Sequence, residues 1–177
     1  LFTDKTGTLT EGKMRADVCL FANGMTTPLP ALLARGGEPS ELLTLALRFG
    51  TDASVGRDAS GKRCVIGGSG TDRALMEATL KAVPREGYEA VSRLAFDSAR
   101  KYSAVTVRGT KRLTFVMGAP ERLLPCVRTA LSPDGTPSAF SRTQTEKSIR
   151  AYTAKGIRVL AVAVSQEGID ASRHADG

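Results

Sequence analysis

Apolar positions along the chain switch between two periods. From residue 71 onward, Leu75, Met76, Thr79, Leu80 and Val83 recur at helical spacing, which predicts a helix over Thr71–Val83 stopped by Pro84. Pro39–Phe49 also reads as a helix, with Pro39 in its first turn and Gly50 as the residue just past its end. Thr143-Gln144-Thr145-Glu146 has the form of a capping box and starts a third helix ending near Gly156. Two shorter helices are expected at Glu86–Arg93 and Pro120–Cys126.

Between these lie short runs with strand character. Asp17–Ala22 and Met25–Pro28 flank Asn23-Gly24, the preferred pair for a type I′ hairpin turn. Arg63–Ile66, Leu94–Phe96, Ser103–Arg108 and Arg112–Met117 are further strands, the last two pairing through Gly109-Thr110-Lys111. Ile157–Val164 is almost continuously apolar, so both its faces are expected to be covered. Thr51–Gly61 and Ser132–Pro137 read as loops, Leu1–Met14 as a strand end entering a Thr- and Gly-rich loop, and the stretch after Ser165 as a polar tail. Hairpins mixed with helices, without strict βαβ alternation, predict an α/β fold in the α+β sense: a mainly antiparallel twisted sheet flanked by helices.

The 177 residues suit one domain plus a stub, and 41% hydrophobic with 24% charged residues is an ordinary globular balance. No run approaches the roughly 20 apolar residues of a membrane helix, and Leu1–Thr10 lacks the order of a signal peptide. Leu1 stands where an initiator Met would, so the chain reads as a piece of a longer protein. The net charge of +7 comes from 25 basic and 18 acidic residues, and it admits a polyanionic partner. The basic residues are scattered, aromatics are 5% and Trp is absent, so a nucleic-acid platform is not expected. Cys19, Cys64 and Cys126 are far apart and His174 is the single His, which fits neither a disulfide framework nor a transition-metal site.

The sharpest chemical signal is Asp4-Lys5-Thr6-Gly7-Thr8-Leu9-Thr10. An Asp at the end of an apolar strand can attack a phosphoryl group and carry it as an acyl phosphate. Lys5 offers a compensating cation, and the Thr and Gly residues offer hydroxyls and amides to phosphate oxygens. Thr6 occupies the place where Asp-nucleophile phosphatases keep a second acid. Without that general base, water attacks the acyl phosphate slowly, as suits a device that stores energy for a conformational step.

Leu1–Met14 resembles the phosphorylation segment of the P-type ATPases. Gly70-Thr71-Asp72-Arg73-Ala74-Leu75, Phe96-Asp97-Ser98-Ala99-Arg100-Lys101, Gly118-Ala119-Pro120-Glu121 and Lys155–Ala163 resemble four further landmarks of that family, in the expected order. The resemblance implies a phosphorylation-domain stub over residues 1–14 and a nucleotide-binding domain over 15–177. It implies Asp4 as the phosphorylated nucleophile, with Lys5 and Thr6 beside it, and Mg²⁺ near Asp4 and Thr6 in the whole pump. It places Phe96 on adenine, Asp72 at the adenine edge, Lys101, Met117 and Gly118 along the nucleotide, and Arg158 on a phosphate. Physical chemistry agrees in kind: a purine suits an aromatic face, and a planar guanidinium suits phosphate oxygens. On the residues alone, Phe96 reads equally as a core residue at a strand end, Asp72 as a first-turn helix acid, Lys101 as a solvated strand residue and Arg158 as half of a surface ion pair.

Met117 replaces the family's usual Lys, and Asp72 is one methylene shorter than the usual Glu; both changes are expected to weaken ATP binding. The family's acidic metal-holding segment is not in this sequence, so the isolated chain is expected to bind ATP or ADP as a monomer without turning it over. Expected partners are the remaining phosphorylation, actuator and transmembrane parts of one pump, with the chain as a cytoplasmic domain of an integral membrane protein. No Ser-Glu-His-Pro segment occurs, which turns the resemblance from heavy-metal pumps toward calcium-type ones. A catalytically silent nucleotide-sensing or interaction module and a soluble Asp-nucleophile phosphatase are the alternatives.

Overall fold

The computed structural model describes residues 13–82 and 87–165. Residues 1–12 of the phosphorylation-like segment, the expected stop at Val83 and Pro84 of the helix that begins at Thr71, and the polar tail after Ser165 lie outside the described residues.

The first strands, β1 (Val18–Leu20) and β2 (Thr26–Pro28), form the expected hairpin. Its turn differs from the expectation. Only Gly24 has a positive φ, at 86°, whereas a type I′ turn needs one at Asn23 as well. The Gly24 amide instead bonds the Phe21 carbonyl at 2.9 Å, and the Met25 amide is held by the Asn23 side chain at 3.0 Å. A wider turn closed by a left-handed glycine results.

Helix α1 (Leu29–Arg35) follows directly, with Pro in its first turn and Leu29, Leu32 and Leu33 buried. This short element was not expected from the sequence. Helix α2 (Glu38–Gly50) matches the expected one, except that Gly50 is its last helical residue and Thr51 its C-cap. The Thr51 hydroxyl donates to the Leu47 carbonyl at 2.8 Å, closing that last turn.

The expected loop at Thr51–Gly61 contains a strand. β3 (Ala53–Arg57) pairs antiparallel with β4 (Arg63–Gly67). Ser54, Gly56 and Arg57 carry little strand propensity; the partner supplies the missing preference. The turn between them is knotted by Asp58, whose Oδ1 accepts from the Ser60 and Lys62 amides at 2.9 and 3.0 Å. Helix α3 (Gly70–Ala78) starts one residue before the expected Thr71 and ends at Ala78, short of the expected end at Val83.

The main sheet holds β5 (Glu89–Leu94), β6 (Tyr102–Arg108), β7 (Arg112–Gly118) and β10 (Ala161–Ser165), all antiparallel, in the order β10-β7-β6-β5. Glu86–Arg93, expected as a helix, thus belongs largely to an edge strand, and Ala95 and Phe96 lie past its end. Helical and strand periods are hard to tell apart in so short a run, and pairing with β6 decided it. The β6–β7 hairpin through Gly109-Thr110-Lys111 is as expected. Ile157–Val164 becomes a strand only from Ala161, and at the sheet edge Val162 and Val164 stay 37% and 40% exposed, so this run is not covered on both faces.

The remaining elements are α4 (Pro120–Leu123) with a 3₁₀ turn to Cys126, the small hairpin of β8 (Thr129–Leu131) and β9 (Pro137–Ala139), and α5 (Arg142–Thr153). The loop Ser132–Pro137 is the tip of that hairpin. Ser141, rather than Thr143, caps α5 through the Gln144 amide at 3.4 Å.

The core lies between α2 and one face of the sheet. Leu45, Ala46 and Leu47 meet Val105, Val107, Leu113, Phe115 and Met117, all nearly inaccessible. Alternation along β6 and β7 sends these side chains to one face. Losing the Phe115 ring would cost roughly 3–5 kcal/mol. On the opposite face Thr106 and Thr114 are also buried, and their hydroxyls bond each other at 2.9 Å, which satisfies them. The architecture is the expected one: antiparallel sheets with helices packed on them.

Candidate functional site

The site grows from the ends of the central strands. After β5 the chain turns through Ala95–Lys101 before entering β6. Phe96 stands on this loop with 61% of its surface exposed, so it is not the core residue its neighbourhood allowed. The loop is shaped by Asp97. Its Oδ1 accepts from the Ala99 and Arg100 amides, both at 2.9 Å, and its carbonyl accepts from the Lys101 amide at 2.6 Å. These bonds, that from the Arg100 amide foremost, hold the Asp97 carboxyl below the usual range. From the other side Arg100 donates to the Ala95 carbonyl at 2.7 Å and lies over the Tyr102 ring.

Lys101 ends the loop with φ at 62°, a left-handed backbone that a non-glycine residue rarely adopts. Its carbonyl accepts from the Ala119 amide at 2.9 Å, and its ammonium lies 3.4 Å from the Glu121 carboxylate. The Glu121 carboxyl is held below its usual range, first by its own backbone amide and then by Lys101.

Gly118 sits where three strands converge, paired to Tyr102 on one side and Ala161 on the other. A Cβ there would collide with the Lys101 carbonyl oxygen and come within 2.5 Å of the Tyr102 Cβ. Glycine is therefore required by close approach, and this brings Lys101 and Gly118 together.

Helix α3 contributes its N-terminus. Ser69 and Asp72 form a reciprocal capping box: the Ser69 Oγ accepts from the Asp72 amide at 3.2 Å, and the Asp72 carboxylate accepts from the Ser69 amide at 2.9 Å. The first-turn reading of Asp72 is thus present in the structure. Thr71, in the same turn, accepts a hydrogen bond from the Arg158 guanidinium at 3.0 Å. Arg158 precedes β10 and also lines an open hollow of about 550 Å³ with Pro120, Glu121, Ile149, Arg150 and Ile157. So Asp72 and Arg158 are neighbours through Thr71, while Lys101 pairs with Glu121, which lines the same hollow as Arg158.

Met117 stands apart. It is 5% exposed within the core, and its thioether packs over Gly50, where an added Cβ would lie 2.7 Å from the methionine methyl. Among the described residues no three His, Cys, Asp or Glu side chains are placed to hold a metal ion. Asp4, Lys5 and Thr6 lie outside the described residues. Likewise no described helix is long and apolar enough to cross a membrane.

Sequence reasoning assigned no role to Thr71, Asp97 or Glu121. All three fall inside motifs already singled out, and the Ser69-x-x-Asp72 spacing was itself a readable cap signal.

A family model described as P-type ATPase, cytoplasmic domain N, matches residues 42–174. The chain belongs to that family. Among its relatives, "Probable cation-transporting ATPase I" of Mycobacterium leprae (strain TN) is 30% identical over 174 residues, covering 94% of this chain and 10% of the relative. "Probable cation-transporting ATPase F" of Mycobacterium bovis (strain ATCC BAA-935 / AF2122/97) is 30% identical over 190 residues, covering 89% and 20%. "Calcium-transporting ATPase 1" of Schizosaccharomyces pombe (strain 972 / ATCC 24843) is 29% identical over 178 residues, covering 91% and 20%. The chain therefore spans between a tenth and a fifth of the length of the curated relatives it matches. The match runs from within α2 through β10, so the Phe96 loop, Gly118, the start of α3 and Arg158 all fall inside the matched N domain.

Proposed function

We propose that this N domain binds ATP or ADP on the face built from Phe96, Lys101, Gly118, the first turn of α3 and Arg158. The supporting observation is the bond from Arg158 to Thr71, which joins two motifs 87 residues apart, and the Phe96 ring is itself open to solvent. The residues suit the ligand: an open π-face for a purine, two cations for phosphates and a hydroxyl bonded to one of them. Met117, being buried, contributes packing rather than a contact. Asp72 reaches the adenine edge only by loosening the bonds it makes to Ser69.

In the whole pump Asp4 takes the γ-phosphoryl group of ATP held on this face. One P–O bond forms at its carboxylate, the bond to ADP breaks, and the acyl phosphate drives cation movement. Lys5 offsets charge, and Asp4 and Thr6 sit near the Mg²⁺ that bridges the phosphates. The parent is an integral membrane protein with this domain on its cytoplasmic side. The likeness to a relative named for calcium transport supports a calcium-type cargo. The isolated chain is a monomer that binds nucleotide without turnover.

A second reading, a silent sensing or interaction module, draws on the buried Met117 and the self-capped Asp72. An ATP titration followed by amide shifts, with and without Mg²⁺, separates the two. Shifts gathered at Asp72, Phe96, Lys101, Gly118 and Arg158 are the expected result; none at millimolar ATP would overturn the nucleotide reading and favour the module.

A further inference from the structure

The Ala95–Lys101 loop poses a physical problem. It must leave a large apolar ring in solvent at Phe96 and, five residues on, hold Lys101 in a left-handed backbone. Neither arrangement is favourable by itself. Both are maintained from one residue. Asp97 follows Phe96 directly, its side-chain oxygen gathers the Ala99 and Arg100 amides, and its carbonyl gathers the Lys101 amide. Three consecutive N–H groups thus converge on Asp97, and the chain reverses around it. Outer braces complete the turn: Arg100 to the Ala95 carbonyl, and Arg122 to the Ala99 carbonyl at 3.3 Å. The Ala119 amide then anchors the Lys101 carbonyl to the end of β7.

We infer that Asp97 is a positioning residue of the nucleotide face, fixing the relation between the Phe96 ring and the Lys101 ammonium without touching the nucleotide. This rests on the nucleotide reading given above. What matters in Asp97 is a short side chain with an sp² oxygen at one reach from the backbone, rather than its charge. The backbone of the loop is thereby set before any nucleotide arrives, which lowers the ordering cost of binding.

Three variants separate geometry from charge. Asp97→Asn keeps the oxygen and loses the charge. Asp97→Glu keeps the charge and moves the oxygen outward by one methylene. Asp97→Ala removes both. ATP affinity of the 177-residue chain is measured by amide-shift titration, with the Thr106 and Thr114 amides reporting whether the sheet is intact. Asp97→Asn is expected within about two-fold of the parent, and Asp97→Glu and Asp97→Ala weaker by about ten-fold or more at unchanged sheet shifts. A merely structural role would alter sheet shifts or melting and leave affinity untouched. The inference is overturned if Asp97→Glu binds like the parent while Asp97→Asn does not, since charge would then be the agent, or if all variants bind alike. Should Asp97→Ala lose its sheet, the Asn and Glu pair decides alone. If the parent itself shows no ATP shifts, the nucleotide reading fails first and takes this inference with it, an outcome distinct from equal binding by every variant.

Discussion

Arg158 donates from its guanidinium to the Thr71 hydroxyl at 3.0 Å, and through it a residue just ahead of the last strand is tied to the first turn of α3. Thr71 in turn points its hydroxyl toward the Met14 sulfur at 3.6 Å. Both ends of the described chain therefore meet at one helix start. An Arg that already rests on a hydroxyl needs little reorganisation to accept phosphate oxygens instead.

Truncating that side chain is the direct check. Arg158→Ala is expected to weaken ATP binding about ten- to a hundred-fold, the worth of one charge-assisted contact. Its exposure predicts a stability change within about 0.5 kcal/mol. Thr71→Val, which keeps the shape and loses the acceptor, is expected to cost less affinity than Arg158→Ala. Calorimetric titration and a thermal melt read both quantities; unchanged affinity in Arg158→Ala would remove Arg158 from the face.

At Gly118 the expectation concerns the fold as well as the site. A methyl group there meets the Lys101 carbonyl and the Tyr102 backbone rather than a side-chain end that can swing away. Gly118→Ala is expected to destabilise the domain by about 1–3 kcal/mol, since the strands must part to admit it. Denaturant unfolding measures this, and a midpoint equal to the parent's would show that the sheet end yields freely.

Acid should weaken the domain in a defined window. The carboxyls of Asp58, Asp97, Glu121, Asp134 and Glu146 are all held below their ordinary values, chiefly by hydrogen bonds. In each case the unfolded chain takes up its proton first as pH falls. Their stabilising contribution is therefore fully present above about pH 5 and is lost progressively below it. Thermal midpoints should be flat from neutrality to about pH 5 and then decline. A midpoint that holds steady to pH 3 would mean that these bonds persist in the unfolded chain.

The thiols should differ in reactivity. Burial pushes the Cys19 thiol up to about 11, whereas Cys126 is exposed. Near pH 8, alkylation followed by peptide mass analysis should modify Cys126 well before Cys19. The neutral Cys19 thiol favours the fold below its unfolded value near 9, and that advantage is lost as pH rises toward 11. Equal labelling rates would contradict the partly buried placement of Cys19.

Much of this was legible in the sequence, for reasons that can be named. The β6–β7 hairpin was readable because two β-branched runs flank a short polar turn. Helix α2 was readable because its proline and its apolar face agree. The edge strand β5 was not, since Glu89, Ser92 and Arg93 carry no strand period and only β6 makes them one. The open position of Phe96 followed from a motif, while its cause, the Asp97 turn, needed coordinates. The same holds for Arg158, whose partner lies 87 residues away. Met117 shows the limit most clearly: the substitution was visible, but whether its side chain pointed outward or inward was not.

Its inward placement couples two positions that no motif links. The methionine fills the room left over a helix end that ends in glycine, so residues 50 and 117 occupy one shared volume. A larger residue at 50 would compete with the methionine for that space, so enlarging one of the two positions calls for trimming the other.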